Sequence, residues 1–115
     1  VEGCKISNNV SFEEFSRLDL RVGKVVSAER VAGTKKLVKL LIDIGGGNVK
    51  QSLAGLGDLY STEELQGRQV IVITNLKPRK LFGLTSEVML LAAVHGNDVS
   101  LLKPDKQMPE GSKVT

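Results

Sequence analysis

Apolar and polar residues alternate over much of this chain, and the alternation predicts strands. Leu20, Val22, Val26 and Ala28 broadly alternate with Arg21, Lys24 and Glu29, the period of a half-buried strand. Gly23 interrupts that run and predicts a bulge or tight bend, as small barrels require. After a turn at Gly33-Thr34, a second strand is predicted from Leu37 to Ile44. It sets Val38, Leu40, Ile42 and Ile44 on one face, with Lys39 and Asp43 on the other. Gly45-Gly46-Gly47-Asn48 reads as a hairpin connection into a third strand, Val49 to Ala54. Gln69 to Thr74 holds the unbroken run Val70-Ile71-Val72-Ile73, the pattern of a strand buried on both faces. A loop is expected over Asn75 to Gly83, then a fifth strand from Glu87 to Val94. His95-Gly96-Asn97-Asp98 turns the chain into Val99 to Leu102. Pro104 to Thr115 holds two of the three prolines and is expected to wrap the barrel or meet a partner.

Two short helices punctuate the strands. Ser11 with Glu14, and Ser61 with Glu64, each form the S-x-x-E capping box that satisfies two orphan N–H groups at a helix start. The first helix is expected to reach about Arg17 and to plug one end of the core with Phe12, Phe15 and Leu18. The second stops at Gly67. Residues 1–10 are polar and aperiodic and read as a flexible arm. The order is therefore three strands, a short helix, then two strands. This order predicts an all-β chain with short helices, an OB-fold five-stranded barrel with N- and C-terminal extensions, in one domain spanning 11–115.

Composition narrows the classes of function. The chain has 115 residues, 41% hydrophobic and 25% charged, within the ordinary range for one globular domain. Its richest apolar stretch, Val88 to Val94, is too short to span a bilayer. No secretory core is visible and the lone Cys4 cannot form an internal disulfide, so a cytoplasmic, non-membrane location is expected. The first residue is not Met, which leaves the native length open. Net charge is +3, which points to nucleic acid only if the cations cluster. Four aromatic residues (Phe12, Phe15, Tyr60 and Phe82) are too few for serial base stacking along single strands. An RNA partner would be read mainly by folded shape and phosphates.

Catalysis finds no constellation. His95 lies in a turn with no second His or Cys to complete a metal site. Cys4 has no neighbouring base. Gly55-Leu56-Gly57 lacks the rest of a phosphate-binding loop. The paired glutamates are explained by capping. No metal or cofactor is expected.

The most informative segment is Asn75-Leu76-Lys77-Pro78-Arg79-Lys80, with three cations and no anion. Pro78 stiffens it, Arg79 can fork onto a phosphate, and Lys77 and Lys80 act as point charges. Asn75 can read a base edge or brace the turn. A solvated basic loop is the alternative. Lys35, Lys36 and Lys39 form a second basic group, and Arg17, Arg21 and Lys24 a third. Either would extend a phosphate track only if folded onto the same side.

The run Asp19-Leu20-Arg21-Val22-Gly23-Lys24-Val25, then Lys36-Leu37 and Lys39-Leu40, then Asn75 to Gly83 as Asn-Leu-Lys-Pro-Arg-Lys-Leu-Phe-Gly, then Ser86 and Met89, resembles the tRNA-binding domain family. That family includes free-standing tRNA-binding proteins and the C-terminal domain or β subunit of methionyl-tRNA synthetases. The resemblance implies an OB-fold that grips the outer corner of folded tRNA. It implies a homodimer sealed by terminal segments, a role beside methionyl-tRNA synthetase, and no catalysis of its own. It also implies binding positions at Asn75, Lys77, Arg79, Lys80, Ser86 and Met89. Many members carry Ser-Gln-Gly-Met where this chain has Ser86-Glu87-Val88-Met89. The latter form resembles CsaA, a secretion-associated chaperone-like dimer of the same fold, which is the alternative function.

Overall fold

A computed structural model describes residues 8–115, so most of the expected arm at 1–10 lies outside the described residues, Cys4 with it. In chain order the elements are α1 (Phe12–Ser16), β1 (Leu20–Arg30), β2 (Val38–Asp43), β3 (Val49–Ala54), α2 (Thr62–Leu65) and β4 (Gln69–Ile73). There follow β5 (Arg79–Leu81), β6 (Leu84–Ser86), β7 (Met89–Leu90), β8 (Ala92–His95), β9 (Asp98–Leu101) and β10 (Lys113–Val114). The main sheet runs β3-β2-β1-β4-β7, all antiparallel, with β10 added along β1. The far edge of β3 meets residues 86 and 87, which closes the sheet into the expected OB-type barrel.

The core holds Val25, Ala28, Val38, Leu40, Ile42, Val70 and Val72 from the wall, with Val88 and Leu101 joining from the later chain. Leu65 of α2 is fully buried and plugs this core. Truncating such a leucine costs about 2–5 kcal/mol, because transfer energy is lost and a cavity remains. Both capping boxes form as expected, with Ser11 and Ser61 accepting from the Glu14 and Glu64 N–H groups.

Five expectations are corrected. No residue of helix α1 is fully buried, and Phe12 is 80% exposed, so the plug of the core comes from α2 instead. The C-terminal end of the helix is held by the Asn75 side chain, which bonds the Arg17 carbonyl and the Asp19 N–H.

The faces of β1 also differ from simple alternation. Its pairing with β2 shifts register between Val25 and Ser27, which leaves Val26 unpaired and 49% exposed. Such a bulge reverses side-chain parity. Val25 and Ala28 therefore enter the core, while Leu20 and Val22 are buried outside that cluster, opposite Ile73 and Ile71. Gly23 is not the bulge: a Cβ there would lie 2.6 Å from the Ile42 side chain.

The fifth strand breaks at Leu91. Its N–H still donates to Ile71, but its carbonyl accepts from Leu102. The chain then leaves the main sheet as the separate β8–β9 hairpin, whose last residue, Leu101, returns to the core. Finally, the expected loop at 75–83 is largely a two-stranded ribbon, β5–β6. The tail wraps the barrel, as one of its two expected roles required. The Gln69 side chain holds the Met108 backbone at both ends, and Gly111 and Ser112 bond Val22.

Candidate nucleic-acid interface

The basic segment leaves β4 through a fixed hinge. Thr74 N–H donates to the Asp19 carbonyl (2.9 Å). The Asn75 Oδ1 accepts from Asp19 N–H (2.9 Å), and its Nδ2 donates to the Arg17 carbonyl (2.6 Å). Asn75 thus braces the turn. One amide hydrogen and one lone pair stay available, since a carboxamide has two of each. Asp19 is itself held by Arg21 Nε (2.9 Å) and the Thr74 hydroxyl, and these donors push its carboxyl below the usual carboxylate range.

Beyond Pro78, β5 and β6 pair with Arg79 opposite Ser86, Lys80 opposite Thr85 and Leu81 opposite Leu84. The ribbon reverses at Phe82 and Gly83, with φ of +52° and +76°. Two left-handed residues make the type I′ turn that suits a twisted hairpin. Gly83 adopts this freely, whereas a bulky residue in Phe82's conformation carries about 1–2 kcal/mol of strain. Phe82 is also 70% exposed, so little burial offsets that cost.

The ribbon is seated on the outer face of β3. Ser86 Oγ accepts from Leu53 N–H (3.1 Å), and Glu87 Oε1 accepts from Gln51 N–H (2.9 Å). Side chains thereby complete part of the ladder where main-chain pairing stops. Between ribbon and strand lies a groove of about 140 Å³. Lys77 and Arg79 line it together with Ser86, Glu87 and an exposed Met89, over a floor that includes Leu53 and Val88.

The predicted residues divide accordingly. Lys77, Arg79, Ser86 and Met89 converge on the groove. Lys80 is not among its lining residues, because successive strand residues face opposite ways and it follows Arg79. Asn75 sits at the hinge. Among the described residues the ion pairs are Arg21–Asp19 and Lys39–Glu29, so Lys77, Arg79 and Lys80 face no carboxylate at bonding distance. Lys39 pairs in register with Leu53, one strand from the groove, but its amine lies 2.6 Å from Glu29. Lys35 and Lys36 are exposed on the β1–β2 loop, whose backbone is pinned by Gly57 N–H and the Arg30 guanidinium. A Cβ on Gly57 would meet the Lys35 carbonyl at 2.6 Å.

A wider cleft of about 550 Å³ mixes Arg21 and Lys50 with Asp19 and Glu110, so it presents no net positive field. Among the described residues no cluster of three or more metal-ligating side chains occurs, and no helix is long and apolar enough to cross a membrane. Sequence reasoning gave no role to Phe82, and saw in Glu87 only a strand start and a departure from the common Ser-Gln-Gly-Met run. A Gly-containing pair between Leu81 and Leu84 was the available signal for a two-residue turn.

The family described as "Putative tRNA binding domain" matches residues 20–113. The chain belongs to this family. Among relatives of this tRNA-binding domain, the methionine–tRNA ligase of Methanothrix thermoacetophila is 51% identical over 102 residues, which cover 89% of this chain and 15% of that enzyme. The corresponding ligase of Archaeoglobus fulgidus is 44% identical over 98% of this chain and 17% of its own length. The chain thus spans about one-sixth of these relatives. In solved structures, a MetRS-related protein from Pyrococcus horikoshii superposes with a TM-score of 0.87 at 34% identity, covering 93% of this chain and 98% of that one. The chaperone CsaA from Bacillus anthracis does so with 0.84 at 37%, covering 93% and 99%. The tRNA-binding domain therefore resembles both kinds of protein raised by the sequence.

Proposed function

We propose that this domain binds folded tRNA at its outer corner, without catalysis, as an accessory module or subunit of methionyl-tRNA synthetase. The observation that carries the reading is the convergence of Lys77 and Arg79, in no ion pair among the described residues, on a groove edged by Met89. Arg79 and Lys77 take phosphates, and the thioether of Met89 adapts to a sugar or base face. Docking of the ribbon on β3 holds these groups before RNA arrives, so little ordering is needed on binding. Held next to a synthetase, such a module raises the local tRNA concentration. The cytoplasm is the compartment that suits this partner.

The domain acts as a homodimer in this reading. Phe12, Phe15 and Leu18 of the N-terminal segment lie beside Val114 in an open apolar patch built from both ends of the described chain. A second copy covers such a patch more readily than water does.

Filter binding of bulk tRNA across a salt series, against single-stranded RNA and an unfolded polypeptide, tests the first reading. Retention of tRNA with a steep salt dependence supports it, and equal retention of all three probes overturns it. Sedimentation over a concentration series tests the dimer. A CsaA-like peptide-binding role is the second reading, favoured by Ser86-Glu87-Val88 and by the exposed Ala92, Ala93 and Val94 of the β8–β9 hairpin. Capture of unfolded polypeptide but not tRNA selects it.

A further inference from the structure

We infer that Phe82 is a nucleobase-stacking residue, which docks on an unstacked base of the folded RNA while the cations beside it hold phosphates. The inference rests on the tRNA reading above and adds to it a contact with a base.

Three observations meet at this side chain. It sits at the tip of the β5–β6 ribbon, in a two-residue turn whose first position requires positive φ. Asn or Gly occupies that position without strain, so a phenylalanine there is unfavourable for the hairpin itself. It is 70% exposed and therefore contributes little burial to the fold. Arg79 and Lys80 lie within three residues on the same ribbon, without carboxylate partners among the described residues. A strained, exposed ring at the end of a cationic arm suits an RNA surface. Folded RNA offers unpaired bases at loops and corners, and sequence-tolerant recognition of them proceeds by stacking on an aromatic face. One ring at one tip is also compatible with the low aromatic count, which excludes a serial stacking track.

Stacking separates from electrostatics in its salt dependence. Removing the ring takes away no charge, so it weakens binding without changing the slope of log K against log salt. Phe82→Asn suits the turn better than phenylalanine, because Asn tolerates the left-handed conformation. It should therefore raise thermal stability or leave it unchanged, while weakening bulk tRNA binding by roughly tenfold at unaltered slope. A residue kept for folding alone would lose stability and keep affinity.

The chain contains no tryptophan. Phe82→Trp thus adds a sole tryptophan at the tip, whose emission, excited selectively over that of Tyr60, should be quenched by saturating tRNA and left unchanged by inorganic polyphosphate. Wild-type protein titrated in parallel separates the two levels of the argument. If wild type binds tRNA, but Phe82→Asn binds equally well and the tryptophan emission does not respond, the stacking role is overturned and the tRNA reading stands. If wild type does not bind tRNA, both fall.

Discussion

Glu87 and Gln51 clasp each other across the seam of the barrel. The Glu87 N–H donates to the Gln51 carbonyl (2.7 Å), and the Gln51 N–H donates to the Glu87 carboxylate (2.9 Å). The Gln51 side chain adds a third bond, from Nε2 to the Thr85 carbonyl (2.9 Å). The clasp seats the cationic ribbon, yet it places a carboxylate in the groove with Lys77 and Arg79. On the proposed tRNA reading, Glu87 positions the ribbon at an electrostatic cost.

Changing Glu87 separates those two effects. Glu87→Gln keeps an oxygen acceptor for Gln51 N–H and removes the charge. Relief of one unit charge about 6 Å from a phosphate is worth about 0.7 kcal/mol in water, so tRNA should bind roughly threefold tighter at low salt. Glu87→Ala removes the acceptor as well and should destabilise the domain by about 1 kcal/mol, with faster hydrogen exchange at the Gln51 amide. Weaker binding by Glu87→Gln in filter assays would count against this account.

Neutralising the cations should register as a salt effect. Lys77→Ala and Arg79→Ala are each expected to lower the slope of log K against log salt by about one unit, as for the loss of one phosphate contact. Lys80→Ala should lower it by less, since its side chain is not in the groove. Equal slopes for wild type and the Lys77/Arg79 double variant would rule out the groove as the phosphate site.

Asn75 is predicted to matter first for stability. Its amide joins β4 to the α1–β1 connection through the Arg17 and Asp19 backbone. Asn75→Ala leaves two backbone groups without their partner and should cost about 1–2 kcal/mol in urea unfolding. Asn75→Asp keeps the acceptor toward Asp19 N–H but presents an oxygen to the Arg17 carbonyl, so it should not restore stability.

Acid should loosen the same region. Asp19 titrates below its ordinary value because Arg21 and Thr74 donate to its charged form. A depressed folded-state pKa means that this contribution is fully present above about pH 4, the unfolded value. It is then lost as pH falls through the lower folded-state value. Glu14 and Glu64, lowered by their capping serines, act with the same sign. Asp19→Asn should therefore flatten the acid limb of stability against pH, measured by chemical denaturation between about pH 5 and pH 2.

Much of this protein was determined by local sequence. Two S-x-x-E boxes set the helix starts, Gly45 to Asn48 set the β2–β3 hairpin, and the Val70–Ile73 run marked a strand buried on both faces. The cationic segment 75–80 was visible as composition. Each of these is a short-range signal, carried by residues within one or two turns of each other. What only the tertiary structure decided depends on partners far along the chain. The Val26 bulge is defined by β2, the departure of the chain at Leu91 by Ile71 and Leu102, and the hinge at Asn75 by Arg17 and Asp19. Docking of the local β5–β6 ribbon on β3 turned the cationic segment into a two-faced object, with Arg79 in the groove, Lys80 out of it and Phe82 at the tip. Alternation along a strand says which residues share a face. It does not say what that face meets, because the meeting is set by hydrogen-bond pairing with residues up to 58 positions away.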